Sequence, residues 1–253
     1  MPIGEGAPVT RVSKAYPDRV EVRGRDLTSD LMGRLSFTAC FHLLLTGREP
    51  TEDERFVLDL LLVAIAEHGL MPSNVAARMT LAADPDALQG AVAAGILGAG
   101  RVVLGTSEEC ARLLHELRAT GRDPVEAARA IREAGEKVPG FGHPVHRPVD
   151  PRAERILELA DERGVSGAHV ALARALREAV AEASGKPLPM NVSMPIAAVM
   201  LDLGYAPAHV KAVPILARTA SLLAHLAEEQ ERPLGFLLAG KAEEAVEYEP
   251  PAG

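Results

Sequence analysis

The chain has 253 residues, of which 47% are hydrophobic and 25% charged, as in a folded globular protein rather than a disordered one. Aromatic residues make up only 3% of the chain, and the formal net charge is −8. This composition argues against an aromatic platform for single-stranded nucleic acid and against a broad nucleic-acid or membrane surface. The two cysteines, Cys40 and Cys110, lie in apolar helical patterns and are predicted to be reduced and buried.

The N-terminal residues have neither the basic region nor the apolar region of a secretion signal. The densest apolar stretch, residues 56–66, is too short to cross a bilayer and contains Asp59. We therefore expect a cytoplasmic protein with no membrane partner.

The first predicted element is a short β-hairpin. Val9 and Val12 on one side, and Val20 and Val22 on the other, flank a turn at residues 16–19 that contains Pro and Asp. After this hairpin the alternating strand pattern ends and helical signals follow.

Helix-capping residues define the next two elements. Ser36 precedes a helix that ends at Gly47, and Thr51 with Glu54 forms a capping box for a helix that runs to about His68. Further helices are predicted at about residues 73–83, 86–102, 107–120, 124–135, 152–163, 168–184, 194–203 and 208–230, the last with a kink at Pro214.

Two of these helices indicate unusually close packing. Between Phe56 and Ala66 only Asp59 is polar, so every side of that helix needs cover from a core or from a partner subunit. Residues 86–102 are rich in glycine and alanine, which predicts a close approach to a neighbouring helix.

A proline-rich loop at residues 138–152, VPGFGHPVHRPVDPR, is the strongest candidate for a functional site. It contains four prolines, two glycines, two histidines and two arginines. Prolines restrict the backbone and glycines let a ligand approach it, so this loop is predicted to be a rigid binding element on a helical scaffold.

This loop resembles the signature loop of citrate synthases, in which Gly-x-Gly-His is followed by a basic residue and Asp-Pro-Arg. Four other parts of the chain resemble further motifs of that family in the same order: residues 23–31 with 36–50, then 67–78, 190–194 and 215–225. Within the superfamily, the short chain and residues 86–100 look most like the citryl-CoA lyase group, which is similar to the C-terminal part of ATP-citrate lyase.

The resemblance implies an all-α, two-domain helical fold with a short N-terminal β-hairpin. By analogy, residues 1–105 and 188–253 form a large domain, residues 106–187 form a small domain, and the active site lies in the cleft between them. The resemblance also implies a homodimer, to which the helices at 52–68 and 86–102 would contribute.

The resemblance further assigns residues that bind a keto acid. His143 matches the histidine that binds and protonates the oxaloacetate carbonyl oxygen, and Arg152 and Arg218 match arginines that clamp carboxylates. His68 matches a histidine that hydrogen-bonds substrate. Each residue has an alternative interpretation. His143 could be structural, the Arg218 side chain could extend from its helix to solvent, and His68 could interact with the helix dipole.

Other positions match the coenzyme A site. The backbone of Val138 to Gly142, which includes Gly140, matches the loop around the adenine, and Arg147 matches a contact to phosphate or else is a solvated charge. Arg232 resembles an arginine that reaches the partner's site, although the tail after it departs from the family pattern. Coenzyme A or acyl-CoA is the expected cosubstrate, and no metal is expected.

Two departures from the family pattern affect the chemistry. Val103 stands where citrate synthases carry the histidine that polarises the thioester, and Ser193 stands where they carry the aspartate that removes the acetyl methyl proton. A serine without an activating partner is a poor base. Glu108, Glu109 or His146 could replace it, although at position 146 the family usually has an aromatic or aliphatic residue, which favours packing.

Two hypotheses therefore remain open. The first is an enzyme of the citrate synthase or citryl-CoA lyase type, which makes or cleaves the C–C bond between acetyl-CoA and oxaloacetate. The second is a non-catalytic or substrate-altered paralogue that binds coenzyme A and a dicarboxylate.

Overall fold

A computed structural model describes residues 8–251 except Pro144 and the side chain of Val102. In this part of the chain three short strands precede twelve α-helices, which confirms the all-α class with a small N-terminal sheet. The strands are β1 Ser13–Ala15, β2 Val20–Val22 and β3 Arg25–Asp26. The helices are α1 Phe37–Thr46, α2 Glu52–Ala66, α3 Pro72–Ala83, α4 Leu88–Gly100, α5 Thr106–Thr120, α6 Pro124–Glu133, α7 Pro151–Glu162, α8 Ala168–Ser184, α9 Ser193–Asp202, α10 Pro207–Val210, α11 Ala212–Glu231 and α12 Gly235–Glu244.

The contacts divide the chain into two compact units, residues 1–59 and 60–253. The predicted division into a large domain and a small domain at 106–187 stays a prediction.

The first unit begins with the predicted hairpin. β1 and β2 pair antiparallel with Ser13 opposite Val22, and the turn closes with the Tyr16 N–H donating to the Arg19 carbonyl oxygen at 2.8 Å. A third strand, β3, and a π-helical turn at residues 27–31 follow it and were not predicted, because neither is long enough to show a periodic pattern.

Local capping sets the ends of α1 and α2 as predicted. The Ser36 hydroxyl accepts the Ala39 N–H at 3.2 Å, and Gly47 ends α1 with φ of +87°. Thr51 and Glu54 exchange reciprocal hydrogen bonds between backbone N–H and side chain. α2 ends two residues before the predicted end, because the Glu67 carboxylate takes the N–H groups of His68 and Gly69.

In the second unit, α3, α4 and α11 form a core around Ala77, Leu81, Ala91, Leu222 and Leu226. The small residues of α4 make this packing possible. A Cβ at Gly95 would lie 2.7 Å from both methyl carbons of Leu222 and 3.0 Å from the Ser73 carbonyl oxygen, so a larger residue there would force its neighbours to shift.

In the second unit, two further boundaries and one helix differ from the sequence prediction. α4 ends at Gly100 and a π-helical turn occupies residues 101–105, where one helix to residue 102 was predicted. The predicted helix at 208–230 divides at Lys211, because Pro214 has no N–H to donate to the Val210 carbonyl oxygen. α12 has no counterpart among the predicted helices.

Residues 207–231 are long and apolar enough to cross a membrane by length and composition alone. Core helices of soluble proteins meet the same criterion, and Leu222 and Leu226 of this segment lie in the core.

The cysteine prediction holds in part. Cys110 is completely buried, and burial raises the pKa of its thiol, whereas Cys40 is only half-buried. Both are free thiols.

Candidate active site

Three histidine rings from two distant segments meet in the second unit. His68 follows α2, and His143 and His146 lie in the loop between α6 and α7. The ring centroids of His143 and His146 are 4.4 Å apart, and each lies 5.3 Å from that of His68. The structure thus brings together His68 and His143, as predicted, and adds His146.

The hydrogen bonds of His143 identify its protonated nitrogen. Its Nδ1 accepts the backbone N–H groups of Val145 at 3.1 Å and His146 at 2.9 Å, so the neutral ring carries its proton on Nε2. Burial lowers the pKa of His143, and His146 and Arg152 lower it as well. Together these effects outweigh that of Asp150, which would raise the pKa. At neutral pH His143 is therefore a neutral donor.

A buried carboxylate orients Arg152. Asp150 is completely buried and accepts from Arg152 Nε at 3.0 Å and Nη2 at 2.8 Å, and from the backbone N–H of Val192 at 3.1 Å. Burial alone would raise the pKa of Asp150. The hydrogen bonds and charge of the Arg152 guanidinium have a larger, opposite effect, so the pKa of Asp150 is below its usual value. The sequence analysis assigned no role to Asp150, although it lies within the Asp-Pro-Arg motif.

Arg152 and His143 place two hydrogen-bond donors close together. Arg152 Nη2 lies 3.4 Å from His143 Nε2, and both atoms carry protons. An oxygen atom of an anionic ligand would accept from both, which suits the predicted contact to a keto-acid oxygen.

Arg218 on α11 is buried without a carboxylate partner in the described part of the chain. Its side chain touches the Asn74 Oδ1 at 3.4 Å through Nη1, and its Nε finds no hydrogen-bond partner among the described residues. Burial lowers the pKa of Arg218, and nearby Arg152 lowers it further, while Glu67 acts in the opposite direction. A buried guanidinium in this state fits an anion-binding role, because the ligand supplies the missing charge.

A network behind His68 holds the turn at residues 67–69. Glu67 accepts from the N–H of His68 at 2.8 Å, from His225 Nε2 at 3.0 Å and from the Ser221 hydroxyl. Burial would raise the pKa of Glu67, but these hydrogen bonds lower it to about 2.

Arg78 extends this network into the core. Arg78 Nη2 lies 2.9 Å from His225 Nδ1, so the neutral His225 ring accepts there and donates to Glu67 through Nε2. Arg78 is itself buried and pairs with Glu229 at 2.8 Å. The sequence analysis missed Asn74, Arg78 and Glu67, all of which lie inside the matched segment 67–78.

The predicted coenzyme A loop pairs with the segment that leads to α9. The Gly142 N–H donates to the Pro189 carbonyl oxygen at 2.8 Å, and the Asn191 N–H donates to that of Gly140 at 2.9 Å. Ser193, the first residue of α9, is 7% exposed and donates its N–H to Asn191 Oδ1 at 3.1 Å. Gly140 and Gly142 are therefore next to the segment that carries Ser193, and Val138 is buried.

The family "Citrate synthase, C-terminal domain" matches residues 11–235. The chain belongs to the citrate synthase family.

Three known proteins illustrate what the chain is similar to. Citryl-CoA lyase from Hydrogenobacter thermophilus superposes with a TM-score of 0.88 at 30% identity, covering 98% of this chain and 97% of the lyase chain. ATP citrate lyase from Methanothrix soehngenii, solved in complex with citrate and coenzyme A, shares the fold with a TM-score of 0.81 at 18% identity, covering 99% of this chain and 43% of its own. A putative citrate synthase 2 from Mycobacterium tuberculosis is 34% identical over 189 residues, which cover 72% of this chain and 49% of that protein.

This chain spans about half the length of the curated citrate synthases that it matches, 52% and 49% of the first two, whereas it covers nearly all of the lyase chain.

Among the described residues, no side-chain hydrogen bond or ion pair joins the remaining predicted residues to the histidines. Arg147 is exposed in the loop, and Arg232 is exposed at the end of α11. Val103 is half-buried in the π-helical turn. Their predicted roles stay predictions.

The two glutamates that could replace the missing base are both paired with cations. Glu108 pairs with Arg112 at 2.6 Å and with Lys211 at 3.5 Å, and Glu109 pairs with Arg101 at 2.6 Å. Of the three candidates, His146 is the one whose ring lies beside that of His143, with centroids 4.4 Å apart. Among the described residues no hydrogen bond or ion pair joins either glutamate to the histidines.

Proposed function

We propose that this chain is an enzyme of the citryl-CoA lyase type, which cleaves or forms the C–C bond between the acetyl group of acetyl-CoA and oxaloacetate. The observation that carries the proposal is the convergence of the donors on His143 and Arg152 with the unpaired buried Arg218. The near-complete coverage of a citryl-CoA lyase at 30% identity supports it.

The arrangement suits a multiply charged keto acid. Arg152 and Arg218 would hold two carboxylates, because a guanidinium binds a carboxylate through two parallel hydrogen bonds. When the C–C bond forms, the acetyl methyl group loses a proton to a base and its carbon attacks the keto carbon, while the electrons of the keto C=O bond move to oxygen. His143 Nε2–H and Arg152 would stabilise the developing negative charge, and His143 would give its Nε2 proton to that oxygen. In cleavage the same proton returns from the hydroxyl group to His143, and the released acetyl carbon takes up a proton.

The second hypothesis, a binding paralogue without turnover, has two replaced residues in its favour. Ser193 replaces the family's base at the start of α9, and Val103 replaces the histidine that polarises the thioester. Binding of the substrates is expected under both hypotheses, so turnover decides between them.

The test of function measures the release of acetyl-CoA and oxaloacetate from citryl-CoA by the purified chain. We expect turnover that falls by about 100-fold or more in Arg218→Ala, because a charged hydrogen bond to substrate is lost. Arg155→Ala is the control. Arg155 lies on α7 one turn after Arg152 and pairs with Glu158 at the surface.

A second measurement, stabilisation of the chain by ligand, tests whether the substrates bind at all, which both hypotheses require. Oxaloacetate or citrate at 100 times the dissociation constant should stabilise the native chain by about 2.7 kcal/mol, and Arg152→Ala and Arg218→Ala should remove the shift in melting temperature. Stabilisation without turnover would support the binding paralogue. If neither turnover nor stabilisation is seen, the assignment of the carboxylate clamp is wrong.

A further inference from the structure

The Glu67 carboxylate joins two parts of the chain that carry predicted ligands of the keto acid. Its Oε1 accepts the backbone N–H groups of His68 at 2.8 Å and Gly69 at 2.6 Å. Its Oε2 accepts from His225 Nε2 at 3.0 Å and from the Ser221 hydroxyl. His68 lies before α3, whereas Ser221 and His225 lie on α11. Each carboxylate oxygen therefore holds one of the two segments.

Arg218 lies on the same side of α11 as these two donors. Ser221 and His225 stand at positions i+3 and i+7 from it, which are neighbours along one face of a helix. The grip of Glu67 on α11 therefore sets where His68 lies relative to Arg218. We propose that Glu67 is a positioning residue, which fixes His68 relative to Arg218 for binding of the keto acid. This role rests on the proposed function, which supplies the ligand.

Asn74 joins the same two segments at a second point. It is completely buried, and its Nδ2 donates to the Gly69 carbonyl oxygen at 3.1 Å. Its Oδ1 lies 3.4 Å from Arg218 Nη1. The turn at residues 67–69 is thus tied to α11 both through Glu67 and through its own carbonyl group. Two ties hold His68 in place before any ligand binds, which reduces the entropy lost on binding.

A carboxylate suits this position because the four groups that contact Glu67 in the described structure all donate. They are two backbone N–H groups, the Ser221 hydroxyl and His225 Nε2–H. Arg78 Nη2 lies 2.9 Å from His225 Nδ1, so that nitrogen accepts and the ring proton stays on Nε2. A glutamine has one oxygen and one NH₂ group. If its oxygen held the turn, its NH₂ group would face the N–H of His225.

The first test measures the dissociation constant of oxaloacetate for the full chain by calorimetry. We expect Glu67→Gln to weaken binding by about 10-fold or more, because a hydrogen bond from His68 to a charged ligand is lost. The Glu67 side chain is 50% exposed, so the substitution leaves the core intact and the variant is expected to fold.

Glu54→Gln is the matched control. Glu54 lies in the first turn of α2 and also accepts a backbone N–H, that of Thr51, together with the Arg48 guanidinium. This control should lower the melting temperature and leave the affinity for oxaloacetate unchanged. Loss of affinity in Glu67→Gln alone would therefore be an effect on position rather than on stability.

The distance between two rings tests the position of His68 without any ligand. His68 Nε2 and His146 Nε2 are 3.2 Å apart, so the wild type and Glu54→Gln should show a nuclear Overhauser effect between protons of the two rings. Glu67→Gln should weaken or abolish it.

The proposal is overturned if the wild type shows no such effect between the rings, or if Glu67→Gln keeps it at full strength. It is also overturned if Glu67→Gln keeps the wild-type affinity, or if Glu54→Gln weakens binding equally. A wild type that shows the Overhauser effect but binds no oxaloacetate would contradict the proposed function instead. The two failures are therefore distinguishable.

Discussion

Arg152 and Arg218 show how single residues prepare this site for an anion. Asp150 holds Arg152 at its Nε and Nη2 atoms, so its orientation is set before any ligand binds. Arg218 is 3% exposed, and among the described residues its side chain hydrogen-bonds to the Asn74 amide oxygen, while Glu67 acts on it without a direct ion pair. Burial of a charge without a directly paired opposite charge is costly, and a carboxylate ligand would offset that cost.

The substitution Ser193→Asp tests whether position 193 is the vacated site of a base. An aspartate with its usual pKa near 4 is ionised at neutral pH, and the N-terminus of α9 favours a negative charge. We expect exchange of the acetyl-CoA methyl protons with solvent to be slow in the wild type. The variant should raise it by about 100-fold.

Ser193→Asn is the matched control, because an amide of the same shape cannot act as the base. Fast exchange in the wild type that Ser193→Asp leaves unchanged or lowers would contradict the vacated-base interpretation. The same assay on His146→Phe would then show whether His146 is the working base.

At the level of single elements, the capping box of α2 makes stability depend on pH. The Arg48 guanidinium lowers the pKa of Glu54 to about 2, despite burial of the carboxylate. A carboxylate whose pKa is lower in the folded state stabilises the fold fully above its unfolded pKa near 4.3. That contribution is lost as the pH falls towards 2.

We therefore expect Glu54→Gln to lower the free energy of unfolding by about 1–2 kcal/mol at pH 7. The difference from the wild type should shrink below about pH 4. Urea denaturation at several pH values measures both quantities. Glu126→Gln is the control, because Glu126 lies exposed in the first turn of α6. A Glu54→Gln effect that is constant with pH would contradict this origin.

The loop at residues 138–143 has two glycines with positive φ that differ in their surroundings. Gly140 has φ of +84°, and a Cβ there would lie 2.8 Å from Cys110 Sγ and 2.9 Å from Met194 Cβ. Gly142 has φ of +89°, and a Cβ there would meet no described atom within 4 Å.

Both Gly140→Ala and Gly142→Ala place a Cβ on a backbone with positive φ, which costs about 1–2 kcal/mol in the free energy of unfolding. Gly140→Ala should lose about 1–3 kcal/mol more in the free energy of unfolding, because its methyl group overpacks the contact between the loop and α9. Urea denaturation of the two variants measures the difference. Equal losses would show that the loop can shift away from α5 and α9.

On the scale of the whole molecule, the single chain leaves large apolar side chains open to solvent. Val63 of α2 is 79% exposed and Leu97 of α4 is 80% exposed. These two helices are the ones that the sequence predicts at a subunit interface. Large exposed apolar patches mark interaction surfaces in soluble proteins.

We predict a homodimer, which light scattering should report as twice the 26.8 kDa mass of the chain. Leu97→Glu should shift the mass towards that of the single chain, because a buried unpaired charge opposes association. Leu237→Glu on α12 is the control, since Leu237 is also exposed but lies outside the predicted interface. A mass of 26.8 kDa across the micromolar range would contradict the prediction.

Sequence alone determined most of the helices and the class of the fold. Ser36, Gly47 and the pair of Thr51 and Glu54 act within one helical turn, so their effect on helix ends can be worked out without tertiary structure. The order of five motifs identified the family, and with it the roles proposed for His143 and Arg218. β3 and the π-helical turns gave no usable pattern because they are too short to show a period.

Only the tertiary structure decided how the site is assembled. Packing sets the 3.2 Å separation of His68 and His146, which are 78 positions apart, and helical period carries no information about it. The same holds for the pairing of Glu108 and Glu109 with cations and for the isolation of Arg218, since these depend on which helices become neighbours. Capping acts through atoms within one turn, whereas ion pairs and unpaired charges in a core depend on the whole chain being folded.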